Sequence, residues 1–225
     1  MPNETVTISV GGSMVNPNKP DVNFVKAVAG IINASKLKCA ITVGGGSYAR
    51  TYVSALKKLG ANDFQADKVA ILETRQNAML LLAALKDAYP NVPDNIELAS
   101  AAMGKHKCVV MGGLYPGFTT DSTAVLLAES IGSKRIVNIT NVNGVYDRDP
   151  SEPSAKKFKS MKIADFVALA MKSDQRKAGT HFVFDSVAAK LAMRSNIRID
   201  VVSGKSLNDV RNAIEGKAHG GTVIS

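Results

Sequence analysis

The stretch that most constrains the fold is AITVGGGSYAR, from Ala40 to Arg50. A β-branched apolar run, Ile41-Thr42-Val43, ends in three glycines, Gly44, Gly45 and Gly46, and helix-compatible sequence carrying Arg50 follows at once. A strand that stops at bare backbone and turns into a helix N-terminus is a seat for phosphate. Glycines let N–H groups approach an anion, and the helix end carries partial positive charge. One such loop serves equally well as a plain tight turn. The chain, however, repeats the arrangement. Thr5 to Val10 runs into Gly11-Gly12-Ser13, Lys107 to Met111 into the loop 112–121, and Ile136 to Ile139 into the loop 140–149.

Between these runs the apolar spacing changes to that of helices. Asp21 stands where it can cap a helix reaching Ser35, and Gly60 stands where a helix from the triple glycine would end. Further helices are expected from Phe64 to Ala88 and over 96–103, 122–131, 163–171, 186–195 and 207–214. Later strands are expected at Ile199–Val202 and Thr222–Ile224. Strands alternating with helices predict an α/β fold, a three-layer α/β/α sandwich around a mostly parallel sheet. Such sheets hold ligands beyond the carboxyl ends of their strands, and here four strands end in glycine-rich or polar loops.

The chain has 225 residues, enough for one large domain or two fused lobes. Its formal charge of +9 is uneven. Residues 1–132 hold 12 Lys+Arg against 10 Asp+Glu, a net of +2; residues 133–225 hold 16 against 9, a net of +7. The excess suits a polyanionic ligand. Nucleic acid is disfavoured as that ligand: Trp is absent and aromatics are 5%, so there is little to stack bases on. Cys39 and Cys108 each lie in or beside an apolar run and read as small buried hydrophobes in a reducing cytosol. No basic-then-apolar leader opens the chain. The longest apolar run, Ala78 to Leu85, is too short to span a bilayer, so a cytoplasmic protein without a membrane partner is expected.

Familiar phosphate motifs fail. Gly204-Lys205-Ser206 resembles the end of a Walker A loop, but Ile199 occupies the position where that motif needs its first glycine. No G-x-G-x-x-G opens the first helix, and the protein-kinase motif set is missing. His106, His181 and His219 have no catalytic context and read as packing or surface residues. What remains is a cleft of backbone N–H groups, one arginine, and the carboxylates Asp67, Asp121 and Asp149. Each carboxylate also has a plain structural reading, as a solvated residue, an N-cap and a turn residue respectively. The set contains no strong nucleophile and no metal-ligand cluster. It suits phosphoryl transfer, which depends on positioning and charge neutralisation, with magnesium carried on the nucleotide.

Four motifs then carry a resemblance: VGGS (10–13), VGGGSYAR (43–50), MGGLYPGFTTD (111–121) and ITNVNGVYDRDP (139–150). Together they resemble the amino acid kinase family, and within it the uridylate (UMP) kinases of the archaeal type. The resemblance implies about eight strands, a UMP-binding lobe over 1–132 and an ATP-binding lobe over 133–225. It implies phosphorylation of UMP by ATP with Mg²⁺, hexamers, and feedback inhibition by UTP. Gly12 and Ser13 would face the ATP phosphates. Gly45 would donate to the UMP phosphate and Gly46 to ATP, with Arg50 neutralising phosphate charge. Asp67 would hold the UMP ribose. Tyr115, Pro116, Gly117, Phe118, Thr119, Thr120 and Asp121 would wrap the uridylate, and Asp121 would also orient the catalytic site. Thr140, Asn141, Tyr146 and Asp149 would take adenine and its ribose.

Two departures stand out. Most of the family carries a lysine where this chain has Ser9, and many members carry one soon after a late Gly-Gly, where this chain reads Gly179 to Asp185 without one. The resemblance therefore leaves the cation that meets the transferred phosphoryl group unassigned. Arg50 is the first choice and a lysine from 156–162 the second. Another small-phosphate or carboxylate kinase of the same fold, or a non-catalytic nucleotide- or oxyanion-binding relative, is the alternative reading.

Overall fold

The strand runs read from the sequence all form, and the loops that follow them stand side by side. In chain order the elements are β1 (Thr5–Val10), α1 (Gly12–Val15), α2 (Val22–Ala34), β2 (Lys38–Val43), α3 (Gly46–Lys58), α4 (Asp63–Leu82), α5 (Ile96–Lys105), β3 (Cys108–Met111), α6 (Thr120–Ser130), β4 (Arg135–Thr140), β5 (Ser160–Met161), α7 (Ile163–Asp174), α8 (Ser186–Arg194), β6 (Arg198–Ser203), α9 (Leu207–Ile214) and β7 (Thr222–Ile224). This is a computed structural model, and it describes residues 4–174 and 183–225. The late Gly-Gly region singled out above, with His181, lies largely outside the described residues.

Seven strands among the described residues make one sheet in the order β3-β2-β1-β4-β6-β7-β5, where the family resemblance implied about eight. The first five in that order are mutually parallel; only the β6–β7 pairing is antiparallel. Parallel neighbours send their carboxyl ends to one edge. The loops after β3, β2, β1, β4 and β6 therefore share a single rim.

Helices cover both faces. Apolar residues of α2, α4 and α9 pack on one side, in a core that also takes Val6, Ile8 and Val10 of β1. Residues of α5, α6, α7 and α8 pack on the other. The face of α2 that the sequence assigned to the core is buried as expected: Phe24, Val25, Val28, Ala29, Ile31 and Ile32. Burying each of its larger side chains contributes about 1.5–3 kcal/mol. The two halves of the chain do not have separate cores, since Val137, Ile139, Val202 and Ile214 join residues of β1 and β2 in one cluster. Cys39 and Cys108 are buried neighbours in register on β2 and β3. Among the described residues, no helix is long and apolar enough to cross a membrane.

Local chemistry sets most boundaries. Asp21 Oδ1 accepts from the Phe24 N–H at 2.9 Å, the cap expected from sequence. Gly60 turns out of α3 at φ +86°, with Ala61 N–H closing back onto the Leu56 carbonyl. The helix expected to reach Ala88 instead stops at Leu82. The reason is tertiary: Asn33 of α2 donates to the Ala84 carbonyl and accepts from the Lys86 N–H, holding that segment out of the helix. The short α1 and β5 escape a sequence reading because four and two residues are too few to show a period.

Thr222 of β7 ties down the loop after β4. Its hydroxyl accepts from the Val145 N–H at 2.9 Å and donates to the Phe158 carbonyl. Thr222→Val keeps the shape and strands two buried polar groups. Chemical denaturation should show a loss of about 1–3 kcal/mol in unfolding free energy. An unchanged midpoint would mean that the loop is held by other contacts.

Candidate active site

The centre of the rim is a crossing of bare backbone. A Cβ added at Gly12 would lie 2.1 Å from the Gly46 nitrogen and 2.5 Å from the Gly44 carbonyl carbon. One added at Gly44 would lie 2.6 Å from the Gly12 nitrogen. Gly46 also has φ +69°, a conformation side chains resist. The two loops can touch only because no side chain stands between them. Helices α1 and α3 both start here, and neither N-cap, Gly11 or Gly45, supplies a side-chain hydrogen bond. Among the described residues, the N–H groups of Gly12, Ser13, Gly45 and Gly46 have no protein acceptor. Four such donors at two helix N-termini form an anion seat.

Helix α4 locks this seat from behind. The Asn77 amide donates to the Gly44 and Gly45 carbonyls at 2.8 and 3.0 Å. The Thr74 hydroxyl accepts from the Gly113 N–H at 2.6 Å, so the second and third loops hang on one helix. Asp67, a turn and more up α4, accepts from the Gly117 N–H at 2.8 Å, and Phe64 meets the Tyr115 ring edge-on at 6.1 Å. The third loop, 112–121, is thus fixed at both ends, with Tyr115, Gly117, Phe118 and Thr119 exposed along it and Pro116 only partly covered.

Below the crossing lies a polar patch that the strands build on the face toward α6. Ser9 donates to Asp121 Oδ1 at 2.8 Å, and Thr42 donates to the Thr120 carbonyl at 3.3 Å. Asp121 is not the N-cap of α6. That place belongs to Thr119, whose hydroxyl accepts from the Ser122 N–H at 3.1 Å. Asp121 is pushed up to about 7, chiefly by burial and also by the charge of Asp185, against the opposing Ser9 hydrogen bond. Asp185 caps α8, accepting from the Ala188 N–H, and also accepts from the Thr119 and Ser122 hydroxyls.

The structure therefore gathers Gly12, Ser13, Gly45 and Gly46 into one seat, with Asp121 beneath it. Asp67 and the third loop stand together on one flank. Thr140 and Asn141 stand on the other, where the Gly11 N–H bonds the Ile139 carbonyl at 2.8 Å. Arg50 is exposed on α3, one turn past Gly46, with no ion pair among the described residues. Tyr146 bonds Asn143 through its hydroxyl. Asp149 uses its carboxylate locally, on the N–H and hydroxyl of Ser151. His106 packs edge-on against Tyr89, and His219 is buried against Asp200 at 3.2 Å. The motifs do not mention Thr74, Asn77 or Asp185. The only advance signal for the Ser9–Asp121 contact is the alternation Thr7-x-Ser9, which puts polar groups on one face of β1.

With this geometry in view, the comparisons are informative. The Amino acid kinase family profile matches residues 4–203. This chain belongs to the amino acid kinase family. The relatives that match it over nearly their whole length include the uridylate kinase of Thermoplasma volcanium, 39% identical over 217 residues, which are 96% of this chain and 95% of that one. The uridylate kinase of Thermococcus kodakarensis is 40% identical over 223 residues, 97% of this chain and 98% of its own. The solved structure of the uridylate kinase from Archaeoglobus fulgidus superimposes with a TM-score of 0.86 at 38% identity, covering 98% of this chain and 99% of that one. A UMP kinase of Bacillus anthracis shares the amino acid kinase fold at a TM-score of 0.81 with 22% identity.

In this member of the family a carboxylate sits partly desolvated beneath an anion seat, and the sign of its effect on stability follows. A carboxyl whose native value lies above its ordinary one is held most favourably when neutral. Its ionised form therefore destabilises the fold above about pH 7, and the penalty fades as pH falls toward 4. Asp121→Asn should stabilise the unliganded protein at pH 8 by on the order of 2 kcal/mol, and the gain should shrink at pH 5. Thermal unfolding at the two pH values measures this, and a gain equal at both would refute it.

Proposed function

We propose that this protein is a UMP kinase, transferring the γ-phosphoryl group of ATP to UMP. The observation that carries the reading is the uncapped double glycine crossing, with four N–H donors that have no acceptor among the described residues, in a chain alike over nearly its whole length to uridylate kinases. On one flank, residues 1–132 supply the acceptor side. Gly45 donates to the UMP phosphate, Asp67 takes the ribose, and Tyr115 to Thr120 close over the nucleotide. On the other flank, residues 133–225 supply the adenosine side, with Thr140, Asn141, Tyr146 and Asp149, while Gly12, Ser13 and Gly46 of the first half reach the donor phosphates.

The transfer is in line. A bond forms between a UMP phosphate oxygen and the γ-phosphorus as the bond from that phosphorus to the β–γ bridging oxygen breaks, and ADP leaves. Little covalent work falls to the protein. The glycine N–H groups stay aimed at the phosphoryl oxygens as charge moves, and Arg50, one turn into α3, offsets that charge. Asp121 and Asp185 lie beneath the glycine seat, and magnesium carried on the donor nucleotide would neutralise phosphate charge. Exposed apolar side chains on α3 and α4, among them Tyr52 and Leu72, support assembly into a homo-oligomer, and inhibition by UTP would act within it.

A coupled ADP-release assay tests the reading. Given Mg-ATP and UMP, CMP, dCMP, carbamate or isopentenyl phosphate in turn, the protein should favour UMP by at least about tenfold in kcat/KM. Turnover of another acceptor with none of UMP would overturn it.

A further inference from the structure

The donor flank contains a cavity of which the motif at 139–150 describes only one wall. It encloses about 610 Å³ beyond the carboxyl ends of β4 and β6, between Asn141 and Asn143 on one wall and Ser206 and Gly220 on another. Two lysines line it, Lys157 and Lys205. Sequence patterns gave Lys205 no role once Walker A geometry was excluded at Ile199.

The position of Lys205 is set by main chain. The Gly204 N–H bonds the Thr140 carbonyl at 2.8 Å, which ties the end of β6 to the end of β4. A Cβ at Gly204 would lie 2.7 Å from the terminal methyl of Met14, so this turn packs against α1, the helix that starts at Gly12. The turn is closed by the Ser206 N–H on the Ser203 carbonyl and by the Lys205 N–H on the Ser203 hydroxyl. Lys205 thus stands on the cavity wall, next to a turn that packs on Met14 of α1, with its side chain exposed.

The charge balance of the cavity is uneven. Its one lining carboxylate, Asp209, is already engaged: it accepts from the Gly220 N–H at 2.7 Å and from Ser206. These bonds, the Gly220 one first, hold it below its ordinary range. Lys157 is partly engaged, its ammonium donating to the Gly220 carbonyl at 2.7 Å. Among the described residues the Lys205 ammonium has neither a hydrogen-bond acceptor nor an ion-pair partner. A cation without a partner among the described residues, on the wall of a polar cavity at the same sheet edge as the glycine seat, is complementary to a polyphosphate.

We infer that Lys205 is the donor-side cation of the site, binding the polyphosphate of the nucleotide where it leaves the cavity for the glycine seat, with Lys157 positioning the opposite wall through Gly220. This rests on the donor flank assigned above. It gives that flank a cation in a chain where Ser9 stands in place of the family lysine.

Titration calorimetry with ADP and with adenosine, on the wild type and on Lys205→Ala and Lys205→Arg, tests the inference. Lys205→Ala should lose at least about tenfold in ADP affinity and leave adenosine binding unchanged, while Lys205→Arg should keep most of the ADP affinity. A thermal melt like that of the wild type would show the variant folded, as expected for an exposed side chain. Unchanged ADP affinity in Lys205→Ala would overturn the inference, and so would an equal loss for ADP and adenosine. A wild-type protein that binds ADP through Lys205 yet leaves UMP unphosphorylated would overturn the kinase reading and leave this inference standing.

Discussion

The contact on which this molecule depends is made by atoms that are missing. Where the turns after β1 and β2 cross, there is no room for even one methyl group, because a Cβ at Gly12 would come within 2.1 Å of a main-chain nitrogen. Sheet order makes the crossing possible, since β1 and β2 are adjacent, parallel and in register from Thr5↔Lys38 to Val10↔Val43. Two helix N-termini are brought together as a result, each left uncapped. Partial positive charge of that kind would repel itself in an empty protein. An anion relieves it, so binding contributes stability that the unliganded fold lacks.

Asp121 is the second half of the same tension. A carboxylate tucked under a strand end, beside Asp185, is held against its preference for water. Ser9 offsets part of that cost with one hydrogen bond. A lysine at position 9 would be in reach of the same carboxylate and would pair with it. The serine instead leaves Asp121 without an ion-pair partner among the described residues. Among the described residues, Arg50, Lys157 and Lys205 carry positive charge on exposed side chains.

Much of the framework was legible before any coordinates. The glycine loops marked the ends of β1, β2 and β3, Asp21 and Gly60 marked helix ends, and the face of α2 was named residue by residue. These are local signals, carried by a few neighbouring side chains. What could not be read was set by distant pairs. Asn33 ends α4 from another helix, Thr74 and Asn77 join loops that are about 70 residues apart in the chain, and Asp185 reaches Thr119 across 66 residues. Of the residues that resemblance named, the glycines, Asp67, the third loop and Thr140 do meet at one rim. Asp149 is engaged in its own turn, a role the sequence also allowed. Lys205 came into view only through a failed Walker A comparison, because its place comes from the pairing of β6 with β4, which no motif encodes.

The account stands on one crossing serving both nucleotides. Substituting Gly12 by Ala forces the turns after β1 and β2 apart while leaving every charged group in place. Calorimetric titration of the variant, with UMP and separately with a non-hydrolysable ATP analogue, should show both affinities falling together by about tenfold or more. A variant that binds either nucleotide as the wild type does would contradict the account.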